Sequence, residues 1–386
     1  MKAIVGQSED TLEENAVSEI VEQIGRQYGE EIPDAGILFC SIDYDQQKLV
    51  NLFNEAFPAL ELIGCTTDGE LSSNLGFTED SVVFMALASD RVEVRAGMGS
   101  HVATQGEQAG EQAALSALHA LERCKDRQQF AVIFSDPISA GISGVDKGIK
   151  KVLGENFPVF GGVAAAHSKQ RKTFQFYKTG VYSDSVVLLL FAGPVSFSFG
   201  IAGGHSPLGQ KMEVTEHKGN VLYKIGEMRA YDYFFKYIGD RDLFMNYCLA
   251  VFEDDSDNYF VLSAPISDPE KGSVTLNGIL PPRAIVQIGT ANKDVVLSSC
   301  EDSVGDSLGS FSGTPELALF FSCAGRKMIM GTKISMECAV VEQKIPSLPF
   351  CGFYCYGEFG PLVSGAPFRF HGTTFVSLLI GEDYGV

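Results

Sequence analysis

The run Ile63-Gly64-Cys65-Thr66-Thr67-Asp68-Gly69-Glu70 follows an apolar segment, Ile37-Leu38-Phe39-Cys40-Ser41, and precedes another, Ser81-Val82-Val83-Phe84. The same order returns twice. Ala131-Val132-Ile133-Phe134-Ser135 leads to Pro158-Val159-Phe160-Gly161-Gly162-Val163-Ala164-Ala165-Ala166-His167 and then Ser185-Val186-Val187-Leu188. Ala318-Leu319-Phe320-Phe321-Ser322 leads to Pro349-Phe350-Cys351-Gly352-Phe353-Tyr354-Cys355-Tyr356-Gly357-Glu358 and then Thr374-Phe375-Val376-Ser377. Self-similarity of this kind marks a fold built from one repeated unit. Each unit reads as strand, helix, glycine motif and return strand, which places the chain in the α/β class. Counted from the first glycine, the sixth residue on is Glu70, His167 and Glu358, so the repeat predicts three ionisable side chains at equivalent positions. A glycine that ends a strand where elements pack closely accounts for the motif without any function.

Outward from these units, residues 11–28, 46–57 and 107–124 carry helical periodicity with one apolar face. After Tyr177 short strands and turns take over, with one helix near residues 227–237. The stretch 298–315, rich in Ser, Gly and Asp, reads as a long loop. These patterns predict two domains of mixed sheets flanked by helices, with an internal strand-helix-strand repeat. The expected division is an N-terminal helix over 1–29, one domain over 30–228 and a second over 229–386.

Composition narrows the function. Among 386 residues, 49 Asp and Glu outnumber 29 Lys and Arg, for a net charge of −20. A field of that sign repels phosphate backbones and anionic lipid, so nucleic acid and membrane are not expected partners. The uncharged stretch 185–210 is broken by Gly193-Pro194 and by alternating Ser, which makes it two strands and a turn and not a membrane span. The first 15 residues lack a secretory apolar core, and nine scattered Cys read as reduced, buried thiols. A cytoplasmic protein is expected.

At residues 63–70 and 160–164, and at 353–358 followed by His371-Gly372-Thr373-Thr374, the sequence resembles the FIST family of bacterial sensory proteins, with its N-terminal and C-terminal FIST domains. The resemblance spans roughly residues 30–380. It implies a ligand-sensing module and not an enzyme, acting on a separate histidine kinase or on cyclic-dinucleotide signalling. Two ligand classes attach to the family: amino acids or similar metabolites, and, in a stand-alone branch, haem b that senses nitric oxide.

Each class asks for different residues. Non-covalent haem needs one axial ligand inside an apolar pocket, and no Cys-x-x-Cys-His is present for covalent attachment. His205, after Gly203-Gly204, and His167, at the end of a Gly/Ala-rich run, are the first candidates, then His371. His101, His119 and His217 sit in polar contexts and read as exposed. An amino acid needs carboxylates for its ammonium, which Glu70, Asp68 and Glu358 would supply, and an arginine for its carboxylate, Arg326 or Arg369. Hydrogen-bonded structural roles for these histidines and carboxylates, and an edge-strand charge for Arg369, are the alternatives. An enzyme reading has Cys65 as its nucleophile, without a nucleophile-elbow, phosphate-loop or dinucleotide motif beside it.

Overall fold

The computed structural model describes all residues except 29–31, 59, 138–140, 168–171, 240–246, 254–256 and 385–386. Among the described residues the strands form four sheets, three of which are six-stranded and built alike. In the first, the edge strand Lys2–Ser8 pairs with the return strand Val82–Ala88, which pairs with Ala35–Ser41 and then, in parallel, Glu61–Thr67. The second repeats the order with Glu93–Ser100, Ser185–Ala192, Gln128–Ser135 and Val159–Val163. The third uses Val195–Gly203, Thr374–Glu382, Leu317–Cys323 and Phe350–Cys355. The mixed α/β architecture expected from the sequence is present.

Each sheet is completed by a hairpin from a different repeat. The hairpin Glu70–Ser72 and Gly76–Thr78 adds to Phe350–Cys355 of the third sheet. Gln175–Tyr177 and Gly180–Tyr182 add to the first sheet, and Glu358–Pro361 and Phe368–His371 to the second. This cyclic exchange makes the three repeats one body. Their inner faces meet in a shared core, where Phe39 lies 5.2 Å from Phe134 and 4.6 Å from Phe353, ring centre to ring centre. Helices cover the outer faces, so the central strands are buried on both sides and read as unbroken apolar runs.

Two sequence expectations are corrected here. Most of the stretch 298–315 is not a loop but belongs to the helix Lys293–Ser310, capped by Asn292 through the Val295 amide. Its Ser299, Ser303 and Ser307 face inward, and a Cβ on Gly200 would lie 1.9 Å from the Ser303 carbonyl oxygen. Small residues that look like loop composition are what such close helix-to-sheet packing requires.

The second correction concerns equivalence. Glu70 pairs with Phe353, Glu358 with Gly162 and Gln175 with Cys65, each opposite the residue after a repeat's glycine. Gln175, not His167, therefore matches the two glutamates. Six residues separate Gly64 from Glu70 and Gly352 from Glu358, but fourteen separate Gly161 from Gln175, and His167 lies in the longer connection. The same registers make Ser41 equivalent to Asp136 and Cys323 of the other repeats, one place off the serine alignment. Asp80, Asp184 and Thr373, just ahead of the three return strands, all hold left-handed backbone with φ of 56°, 51° and 57°.

Between the third repeat's edge strand and its helix lies an inserted β-rich unit, in which the long strand Ser206–Lys218 pairs with Val221–Ile225 and Ala284–Thr290. It has its own core around Leu222, Tyr233, Leu249 and Ile288. The short helix Ala230–Ile238 belongs to it. No helix among the described residues is long and apolar enough to cross a membrane.

Candidate functional site

In open α/β sheets, ligands bind outside the carboxyl ends of the strands, where loops diverge and backbone groups are unshared. At that end of the first repeat, Asp68 follows the strand Glu61–Thr67, and its Oδ1 accepts from the Lys327 ammonium at 3.1 Å. Lys327 stands on the helix Ala324–Met330 of the third repeat and also reaches Glu79 at 2.6 Å. Burial opposes its charge, but Glu79 and Asp68 outweigh burial and hold the ammonium above its ordinary value. Burial pushes the Asp68 carboxyl up, against the pull of Lys327 and His167.

His167 completes the cluster. Its Nε2 lies 2.9 Å from Asp43 Oδ2 and 3.1 Å from Asp80 Oδ1, and its Nδ1 3.4 Å from the Ser41 hydroxyl. The Tyr356 hydroxyl donates to the Ala166 carbonyl and ties the third repeat to the same loop. Four carboxylates of the first repeat thus face one histidine of the second and one lysine of the third. Asp43, Asp80 and His167 offer ligand atoms within 4.8 Å of one another, a size that a divalent cation would share.

A family model for the FIST N domain matches residues 34–228, and one for the FIST C domain matches 230–361. The chain belongs to the FIST family. FIST domains are associated with sensing and signal transduction. The strand-end cluster takes Asp43, Asp68, Glu79, Asp80 and His167 from the FIST N segment and Lys327 and Tyr356 from the FIST C segment. The junction between the two segments falls inside the inserted β unit.

Among curated proteins, the FIST chain is 27% identical over 233 residues to an uncharacterized protein of Methanocaldococcus jannaschii, covering 58% of this chain and 44% of that one. It therefore spans less than half of that relative's length. Among solved structures, cyanuric acid hydrolase from A. caulinodans aligns over 100% of this chain and 99% of its own, at 9% identity and a TM-score of 0.39. A further cyanuric acid hydrolase aligns over 99% of each chain at 9% identity and a TM-score of 0.37. Likeness at that level carries no functional weight.

Of the residues expected to meet a ligand, the FIST fold brings only Asp68 and His167 to the strand-end cluster. Glu70 and Glu358 are fully buried joints of the exchanged hairpins. Glu70 accepts from Thr67 and Ser81, and Glu358 from both the amide and hydroxyl of Thr374 and from the Cys355 thiol. Arg326 is also fully buried, donating to Glu337 at 2.6 and 2.9 Å, to Ser299 and to the Val296 carbonyl. Arg369 lines a separate cleft, with its guanidinium 4.8 Å from the Phe260 ring centre. Cys65 sits in the shared core, where burial pushes its thiol well above the ordinary range and withholds the thiolate a nucleophile needs.

Sequence reasoning missed Lys327, Glu79, Asp43, Asp80 and Tyr356. Position alone would have found several, because Asp43 and Asp68 each lie one or two residues past a strand that ends in this cluster.

Haem needs an axial histidine that opens onto a slot. None of the described cavities is lined by His167, His205 or His371. His371 holds the Gly360 carbonyl at 2.8 Å through Nε2 and is fully buried; burial takes its pKa down to about 4. His205 is 1% exposed, and a Cβ on Gly289 would meet its Cβ at 3.2 Å. Burial, then the nearby Arg326 charge, takes its pKa down to about 4. Among the described residues, neither ring nitrogen of His205 has a hydrogen-bond partner. His167 already holds Asp43 and Asp80, and His371 the Gly360 carbonyl, so as placed these two do not fit haem.

Proposed function

We propose that this FIST protein is a receptor for an amino acid or a close relative of one, bound at the strand-end cluster. The observation that carries the reading is the meeting of Asp43, Asp68, Glu79, Asp80 and His167 with Lys327 at the carboxyl ends of strands from all three repeats. Such a site answers both ends of a zwitterion. Asp43 and Asp80 receive the ammonium, and Lys327 receives the carboxylate.

Switching follows from the exchange of partners. Without ligand, Lys327 clamps Asp68 and Glu79 and so links a helix of the FIST C segment to loops of the FIST N segment. A ligand carboxylate competes for the same ammonium and releases Glu79, whose side chain is half exposed. That gives the two states different affinity for the ligand, which any ligand-driven shift requires. The family's association with signalling supports output by contact with a partner such as a histidine kinase or a cyclic-dinucleotide enzyme.

The test is isothermal titration with L-serine, L-glutamate and L-lysine. At least one is expected to bind, and Lys327→Met is expected to weaken it by about tenfold or more, the worth of one charge-assisted contact. Absence of binding by all three, or unchanged affinity in the variant, sinks the reading.

Haem with nitric oxide sensing is the second reading, favoured by one observation: the buried imidazole of His205 with both nitrogens unpartnered. On the amino-acid reading, protein made in cells supplied with haem precursor is colourless. A Soret band lost in His205→Ala would reverse the order of the two.

A further inference from the structure

A cavity of about 240 Å³ lies between the helix Val145–Leu153 and the inserted β unit, away from the strand-end cluster. Phe260, Leu280 and Phe370 give it apolar walls, and Lys147, Lys150 and Arg369 line it with cations. We propose that this cleft binds a small organic anion with an apolar body, of the aryl or branched-chain carboxylate class.

The charge balance carries the inference. The chain has a net charge of −20, yet the described residues lining this cleft hold three cations and one carboxylate, Asp146, which pairs with Lys150 at 3.1 Å. Ring faces hold the charges in place: the Arg369 guanidinium lies 4.8 Å from the Phe260 ring centre and the Lys150 ammonium 5.0 Å from that of Phe368. A guanidinium at the edge of an apolar cavity selects a carboxylate head, and the rings select a hydrocarbon tail of limited size. The helix comes from the FIST N segment, and Phe260 and Leu280 come from the FIST C segment. A bound anion therefore bridges the two. This site is independent of the amino-acid reading, because it shares no residue with the strand-end cluster.

The probe is phenylacetate, titrated calorimetrically into the full chain beside 2-phenylethanol and acetate. Phenylacetate is expected to bind at least about tenfold more tightly than either, since one lacks the charge and the other the apolar body. Arg369→Gln is expected to weaken phenylacetate by about tenfold. Lys147→Glu, at an exposed position where folding is not at stake, is expected to weaken it in the same direction. Lys327→Met is expected to leave it unchanged. Equal binding of phenylacetate and 2-phenylethanol, no binding at all, full affinity in both cleft variants, or loss in Lys327→Met would each overturn the proposal.

Discussion

At pH 8, a variant carrying both Glu70→Gln and Glu358→Gln is expected to unfold at markedly higher denaturant than the wild type. Both carboxyls are fully buried, and burial pushes each from an ordinary 4.5 up to about 7, against the hydrogen bonds they accept. A carboxyl raised in this way stabilises the folded state fully below pH 4.5 and loses that contribution as pH rises through 7. The difference corresponds to up to about 3 kcal/mol at each site. Gln holds the same shape without a charge to desolvate, and the second repeat already uses Gln175 at the equivalent position, itself fully buried.

The histidines sharpen the test. Burial takes His205 and His371 from 6.5 down to about 4, so their contribution is present above pH 6.5 and lost as pH falls toward 4. In the wild type the two glutamates gain stability over much of the range in which the two histidines lose it. The opposing slopes largely cancel, and unfolding free energy is expected to vary little between pH 5 and 7 from these four groups. In the double Gln variant only the histidine slope remains. Its denaturation midpoint should fall steeply over that interval, after starting higher at pH 8. Parallel pH profiles for the two proteins would show that folding raises neither carboxyl above its ordinary value.

How much of this was legible in sequence depended on whether the cause was local. The threefold strand grammar was, because each central strand is buried on both faces and so must be an apolar run. The equivalence of Glu70, His167 and Glu358 was not. Counting from a glycine assumes equal connections, and the longer second one moved Gln175 into the place given to His167. The exchange of hairpins between repeats is a property of tertiary pairing that no single segment signals. Arg326 and Lys327 show the limit most directly. Adjacent residues on a helix point about 100° apart. One therefore enters the core to meet Glu337 while the other turns out to meet Asp68 and Glu79, and sequence alone had chosen the inward one.

The glycines that first marked the repeat have a structural reason, and it leads to the largest expected loss of stability. A Cβ on Gly64 would lie 2.0 Å from the Leu38 carbonyl oxygen; on Gly161, 1.9 Å from that of Ile133; on Gly352, 2.2 Å from that of Phe320. In every case the obstructing atom belongs to the residue paired in register on the adjacent parallel strand. Backbone in the middle of a sheet cannot swing aside as a flexible side chain would. Relief requires the two strands to separate, and that would break the ladder beside the shared core. Each of Gly64→Ala, Gly161→Ala and Gly352→Ala is expected to destabilise the fold by about 4 kcal/mol, the range reached when a core clash has no soft neighbour. Gly305, on the helix Lys293–Ser310, provides the control: a Cβ there meets nothing within 4 Å, and Gly305→Ala should be neutral or slightly stabilising. Urea unfolding of the four variants measures this. Similar large losses at the three motif glycines, with none at Gly305, would mean that the repeat was kept for close strand packing and that its chemistry lies in the residues beyond the strand ends. Wild-type stability in any one of the three would show that the adjacent strand yields there and that close packing does not explain that glycine.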